Sequence, residues 1–285
     1  MAKYLVTGAS GLLGSHLIAE LSKIHEVISL GRTAPSSDIR HIDADFADAN
    51  FSESIGFVPD GIFHLAQSEH YKMFPEAASH VFEVNTQSTF RLLEFCAKRG
   101  VKKFLLASSG AVYGSAPQPY LEERPLPFDA CRSNFYAASK LSAENVCWAY
   151  QALVKIMICR YFFIYGPKQK ESMLIPNLIS RVINGQPVTL QGDEGLTLNP
   201  IYVEDACRLT IKAMEDSESA IFNIAGKEVV SLKRLVNIMG ELIGSKPNFS
   251  QIDGEAKSCV ADIGKMINAL GEPVVGLKDG LKMCV

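Results

Sequence analysis

Ala2-Lys3-Tyr4-Leu5-Val6-Thr7-Gly8-Ala9-Ser10-Gly11-Leu12-Leu13-Gly14 is the stretch that decides the fold. Its first part, Ala2 to Val6, is short, apolar and partly β-branched, which predicts a buried strand. The glycine-rich run Thr7 to Gly14 follows at once, and Leu17, Ile18 and Leu21 then recur at helical spacing. Strand, glycine turn and helix in direct succession is the context in which such glycines mark a dinucleotide site. Gly8 permits the tight turn, Gly11 lets backbone approach a pyrophosphate, and Gly14 lets the helix lie close on the strand. The start of that helix offers unpaired N–H groups and a positive dipole end to phosphates.

Outward from this stretch, strands and helices alternate. Strands are predicted at Glu26–Leu30, Ile39–Ile42, Gly61–Ala66, Lys103–Ala107 and Val154–Cys159. Helices are predicted at about 76–98, stopped by Gly100, and, after a proline-rich loop from Pro117 to Pro127, at about 134–152. Such alternation implies a parallel sheet with helices on both faces, and ligands beyond the carboxyl ends of its strands. After residue 165 the texture changes. Helices near 173–184, 203–214 and 232–243 alternate with short strands at 188–190 and 221–224. We therefore expect residues 1–165 to form a dinucleotide-binding domain. Residues 166–285 form a smaller α/β substrate lobe, partly interleaved with it.

Composition narrows the class. The 285 residues carry a net charge of −3, which gives no reason to expect nucleic acid or an anionic membrane as partner. With the first strand at the start of the sequence, no signal peptide is expected, and the apolar run near 156–164 is broken by Arg160. Seven scattered cysteines read as reduced thiols of a cytoplasmic protein. The six histidines all lie before residue 81 and show no zinc spacing, so no metal is expected.

Chemistry is carried by Tyr136-Ala137-Ala138-Ser139-Lys140, where a phenol and an ammonium stand one helical turn apart. A nearby cation favours phenolate, so Lys140 is expected to lower the pKa of Tyr136 and make it a proton donor and acceptor for an alcohol–ketone pair. Ser108-Ser109-Gly110 lies at the carboxyl end of the fifth strand, where Ser109 can hold the substrate oxygen.

The segments TGASGLLG, IFHLA, ASSGAVYG, YAASK and RYFFIYGP, in this order, resemble the extended short-chain dehydrogenase/reductases. Within them, the chain is most similar to the NAD-dependent epimerase/dehydratase branch, which acts mostly on nucleotide sugars. The resemblance extends to about residue 226. It implies a Rossmann-type doubly wound parallel sheet, a tightly held NAD(P), and a catalytic set that falls here on Ser109, Tyr136 and Lys140. Lys140 would also bind the nicotinamide ribose. For the cofactor it implies the loop Gly8, Gly11, Leu12, Leu13 and Gly14, the adenine contact Asp45-Phe46, the stretch Leu65-Ala66-Gln67, Asn85 near the fourth strand, and Phe162 at the nicotinamide end. It also implies a homodimer built on the helices at 76–98 and 134–152.

The departures narrow the reaction. Gly31-Arg32 replaces the acid that usually holds an NAD ribose, so Arg32 leans toward the 2′-phosphate of NADP(H), with NAD as the alternative. Gly110-Ala111 replaces the Asp-Glu pair of the dehydratases, and elimination of water needs such a pair. Gly110 and Met173 replace the Cys and His of the epimerase–reductases that work at C3 and C5. Phe163 and Leu198 stand where an Asn and an Arg usually hold the sugar diphosphate, so Arg181, Lys168 or Arg208 would have to supply charge. What remains is hydride transfer at one carbinol or ketone carbon, C4 of a nucleotide sugar, by a 4-reductase or 4-epimerase. The alternatives are a reductase of a small non-nucleotide carbonyl compound and a non-catalytic NAD(P)-binding sensor on the same fold.

Overall fold

The computed structural model describes every residue except 115, 117, 127–130, 132, 133, 216 and 217. Pro117 and Pro127 of the proline-rich loop lie outside the described residues. The first part of the chain forms β1 (Lys3–Thr7), α1 (Leu12–Leu21), β2 (Glu26–Gly31), β3 (Arg40–Asp43), β4 (Gly61–His64), α2 (Ala78–Phe82), α3 (Ser88–Arg99), β5 (Lys103–Ser109), α4 (Phe135–Ala149) and β6 (Lys155–Tyr161). The rest forms β7 (Ile164–Tyr165), α5 (Leu174–Ile183), β8 (Val188–Gln191), β9 (Thr197–Leu198), β10 (Ile201–Tyr202), α6 (Val203–Glu215), β11 (Ala220–Ile224) and β12 (Val230–Ser231). It closes with α7 (Leu232–Ile243), β13 (Phe249–Ile252), β14 (Ser258–Cys259), α8 (Gly264–Leu270) and α9 (Leu277–Lys282).

Seven strands make one sheet in the order β11-β6-β5-β4-β1-β2-β3. Leu5 of β1 stands opposite Ile28 of β2 on one side and Ile62 of β4 on the other, both pairings parallel. Chain order therefore reverses at β1, and the crevice this opens lies above the Gly8–Gly14 turn. This is the Rossmann-type arrangement. The strands are apolar on both faces because helices cover both. Leu5, Ile28, Ile62, Phe104 and Ile156 of the strands bury together with Leu92 and Cys96 of α3 and Ala143 and Cys147 of α4.

The helix predicted over 76–98 is interrupted. A π-helical turn over Glu83–Gln87 separates α2 from α3, and such turns re-aim the side chains they carry. Gly100 ends α3 with φ 77°, its N–H on the Cys96 carbonyl. Asn134 caps α4, its side-chain oxygen accepting from Ala137 N at 3.1 Å.

The chain divides into two compact units. The first comprises Met1–Ala116, Pro125–Arg160 and Cys207–Phe222; the second comprises Pro117–Arg124, Tyr161–Ala206 and Asn223–Val285. The strand expected in the smaller lobe at 221–224 is β11, at the edge of the main sheet, and most of α6 belongs to the first unit. The second unit holds three small sheets, β12-β9-β14, β10-β7 and β13-β8. Its tail is tied down by polar contacts. Asp205 accepts from Val274 N and Val275 N at 2.9 and 2.8 Å, and Tyr165 Oη donates to the Leu277 carbonyl. Among the described residues no helix is long and apolar enough to cross a membrane, and no group of three or more His, Cys, Asp or Glu is placed to hold a metal.

Candidate active site

The glycine loop is shaped by close backbone approach. Gly8 has φ +68°, and a Cβ there would lie 2.8 Å from Ala66 N. A Cβ at Gly14 would lie 2.2 Å from the Gly8 carbonyl oxygen. Gly11 begins α1 with no side-chain cap, and the first turn, which holds Leu12 and Leu13, carries no acidic residue. The helix start thus keeps its N–H groups for an anion. These features fit the pyrophosphate of a dinucleotide.

Around the loop, Thr7 Oγ1 receives Ala66 N at 3.1 Å and bonds His64 Nδ1 at 2.8 Å. His64 is buried and bonds Ser88 Oγ through its other nitrogen. Burial, aided by the positive charge of Lys140, pushes its pKa down to about 3, so it stays neutral. Phe46 is core, packed edge-on against Phe51, while exposed Asp45 caps a turn by accepting from Ala47 N. Leu65 donates its N–H to the Thr7 carbonyl. Arg32 is not a free cation: its Nη2 pairs with Glu69 Oε1 at 2.9 Å.

The three proposed catalytic side chains meet where β5 ends under α4. Tyr136 hydrogen-bonds Ser109, and its Oη donates to Gln67 Oε1 at 3.1 Å. Its ring leans on Tyr71, with centroids 5.1 Å apart. Lys140 is fully buried and donates its Nζ to the Ala107 carbonyl at 2.9 Å. Asn85, in the π turn, ties this helix to the loop after β4. Its Oδ1 accepts from Ser68 N at 2.8 Å, and its Nδ2 donates to Ser139 Oγ at 3.0 Å. Ser139 in turn donates to the Tyr136 carbonyl. Phe162 belongs to the second unit, where it is buried beside Tyr120 and gives its N–H to Ile224 O.

One expectation is corrected. Burial pushes the Tyr136 phenol up to about 12, with the Ser109 hydrogen bond pulling the other way. Lys140 does not lower it here, because the ammonium sits on the Ala107 carbonyl and is itself pulled down to about 8 by burial. Tyr136 therefore holds its proton at neutral pH.

Two departures from the family pattern also gain a physical account. Leu198 is fully buried in β9, between Val230 and Cys259, and brings no charge. Phe163 has φ 45°, a left-handed backbone that suits Asn and strains a bulky residue. Phe163→Asn should therefore be about 1 kcal/mol more stable than Phe163→Ala in urea unfolding, since both lose the ring but only Asn tolerates that backbone. Equal stabilities would contradict the strain. Of the substitute cations, Arg181 is engaged with Asn177 and the Pro187 carbonyl, while Lys168 is exposed.

Sequence reasoning passed over Tyr71, His64, Ser139 and Glu144. His64 alone left a local signal, as the one polar side chain in the apolar run Gly61–Ala66.

Residues 4–225 match the NAD dependent epimerase/dehydratase family. The chain belongs to this family. Two relatives within reach of it are an uncharacterized UDP-glucose epimerase, YtcB, of Bacillus subtilis, and the UDP-glucuronate 4-epimerase of Thermodesulfobacterium geofontis. The first is 32% identical, over 98% of this chain and 95% of the relative. The second is 28% identical, over 100% and 95%. Among solved structures, the UDP-glucuronic acid 4-epimerase of Bacillus cereus, in complex with UDP-glucuronic acid and NAD, superposes with a TM-score of 0.84 at 28% identity, covering 99% of this chain and 97% of that one. Family membership makes the chain an enzyme of the extended short-chain dehydrogenase/reductase type.

Proposed function

We propose that this protein is an NAD-dependent UDP-sugar 4-epimerase. One observation carries the reading: Ser109, Tyr136 and Lys140 converge at the end of β5, while the next two positions are Gly110 and Ala111. A single proton-moving phenol confines the chemistry to the oxygen of one carbinol. Without an acid–base pair beside it, the site has no means to eliminate water. The relatives' names support a UDP-sugar as the substrate.

The residues that would hold NAD are the backbone around Gly8, Gly11 and Gly14, the side of Phe46, and Lys140. When bound, NAD supplies a reversible two-electron acceptor for a carbinol carbon. Oxidation of the carbinol passes its proton to the Tyr136 phenolate, the form that the positive charge of Lys140 and of bound NAD would favour over the phenol of the unloaded protein; the phenol so formed returns the proton to the ketone oxygen, with Gln67 fixing it. Ser109 Oγ donates to the same substrate oxygen and holds it in place. Lys140 adds positive charge beneath the site. NAD is preferred over NADP in this reading. The lean toward NADP(H) finds no support, because Glu69 already answers the charge of Arg32. We assign the homodimer to the same helices as before, α2 to α4, on which Phe82 and Phe90 remain exposed.

Thermal unfolding of the NAD-loaded protein tests the substrate class. UDP-glucose or UDP-glucuronate at about 100 times its Kd should raise Tm by about 5 °C, and free hexoses should not. No shift with any nucleotide sugar, together with a shift from a small carbonyl compound, would overturn the reading in favour of a small-carbonyl reductase.

A further inference from the structure

Three consecutive residues at the end of β5 are each held from α4, by side chains spaced one turn apart. Tyr136 bonds Ser109, Lys140 Nζ donates to the Ala107 carbonyl, and Ser108 Oγ donates to the Glu144 carboxylate. The third contact has no part in the chemistry above. Glu144 is 2% exposed and is paired with Arg160 of β6, whose Nη2 and Nε lie 2.6 and 3.0 Å from its oxygens. Arg160 is itself buried and lies over the Tyr113 ring at 4.7 Å. A buried ion pair is weak evidence for stability, since apolar replacements of equal volume are often neutral or stabilising. Its position directly below Lys140 points to another use.

We propose that Glu144 is a positioning residue for the reaction: countered by Arg160, it locks Ala107–Ser109 in register beneath α4 and keeps Lys140 an ammonium in a dry interior. This rests on the reading of Tyr136 and Lys140 given above.

The surroundings of Lys140 leave Glu144 as the source of that charge. Burial lowers the Lys140 pKa, and the carboxylate of Glu144 is the strongest influence raising it again, with Cys147 second. Burial holds the Cys147 thiol far above its ordinary range, and it stays neutral. His64, facing from β4, is neutral as well. Cys96 of α3 acts on Cys147, and Arg160 pairs with Glu144.

The test compares wild type, Glu144→Gln/Arg160→Met and Glu144→Asp. The double variant removes both charges and avoids leaving a buried guanidinium alone. NAD affinity is measured by calorimetry from about pH 6 to 10, and kcat on a UDP-sugar alongside it. In wild type, NAD binding should weaken as pH rises through about 8, where Lys140 loses its proton. In the double variant that break should fall at least about one pH unit lower, so that NAD binds about fivefold more weakly at the wild-type break and about tenfold more weakly well above it. Glu144→Asp keeps the charge but draws it back from Ser108. Its break should stay at the wild-type pH while kcat falls about tenfold. A purely structural Glu144 would lower Tm and leave the break unmoved. An unmoved break in the folded double variant overturns the proposal. So does a Glu144→Asp kcat within about twofold of wild type, which decides the matter alone if the double variant does not fold. Failure of the wild-type protein to bind NAD would instead strike the reading of the site itself.

Discussion

Tyr136→Phe should lose at least about a thousandfold in turnover while binding NAD as tightly as wild type. The substitution removes one oxygen. The ring keeps its contact with Tyr71, and Ser139 still holds the backbone of that turn, so the fold has no reason to move. What disappears is the hydroxyl that bonds Ser109 and Gln67, the single group in the cluster able to give and take a proton at the substrate oxygen. Neither neighbour can stand in for it: Ser109 is far too weak an acid, and Lys140 is turned onto the Ala107 carbonyl. Steady-state turnover with parallel NAD titrations measures both halves. Turnover within tenfold of wild type would remove Tyr136 from the role.

Gly14→Ala should be strongly damaging for a single added methyl. The added carbon would stand 2.2 Å from the Gly8 carbonyl oxygen and 2.9 Å from Ala9 Cα, and both are backbone, with no flexible side chain to yield. Either α1 lifts off β1 or the loop opens. We expect a loss of about 3 kcal/mol in urea unfolding, and NAD binding weakened beyond detection because the helix start no longer faces the pyrophosphate. Gly56→Ala is the control. A Cβ there meets nothing within 4 Å, and its stability should stay within about 0.5 kcal/mol of wild type. A Gly14→Ala protein as stable as that control would show that the close approach of helix to strand is not what the glycine serves.

What could be read ahead of the structure was local. The turn at Gly8–Gly14 is legible because strand, turn and helix follow within one short run. Tyr136 and Lys140 are legible because helical spacing alone puts them on one face. The parallel sheet covered by helices on both faces followed from alternation, but its strand order and the place of β11 at its edge did not. What escaped depends on distant parts of the chain. The pKa of Tyr136 moves upward because of burial and because Lys140 finds the Ala107 carbonyl, which no spacing within 136–140 reveals. The π turn at Glu83–Gln87 was invisible, since one extra residue in a turn leaves the apolar pattern of a long helix nearly intact. Glu144 was passed over, because its partners Ser108 and Arg160 come from two separate strands. In the tail beyond Lys227, β12 and β14 are two residues long, too short for any periodicity, and exist only by pairing with β9.

The most direct test of the account is to incubate the NAD-loaded protein with UDP-glucuronate, and separately with UDP-glucose, and follow the sugar ring by proton NMR. The account predicts the C4 epimer of at least one of them, formed by wild type and absent with Tyr136→Phe. A protein that binds NAD and these sugars yet leaves C4 untouched, or inverts it equally well without the Tyr136 hydroxyl, would contradict it.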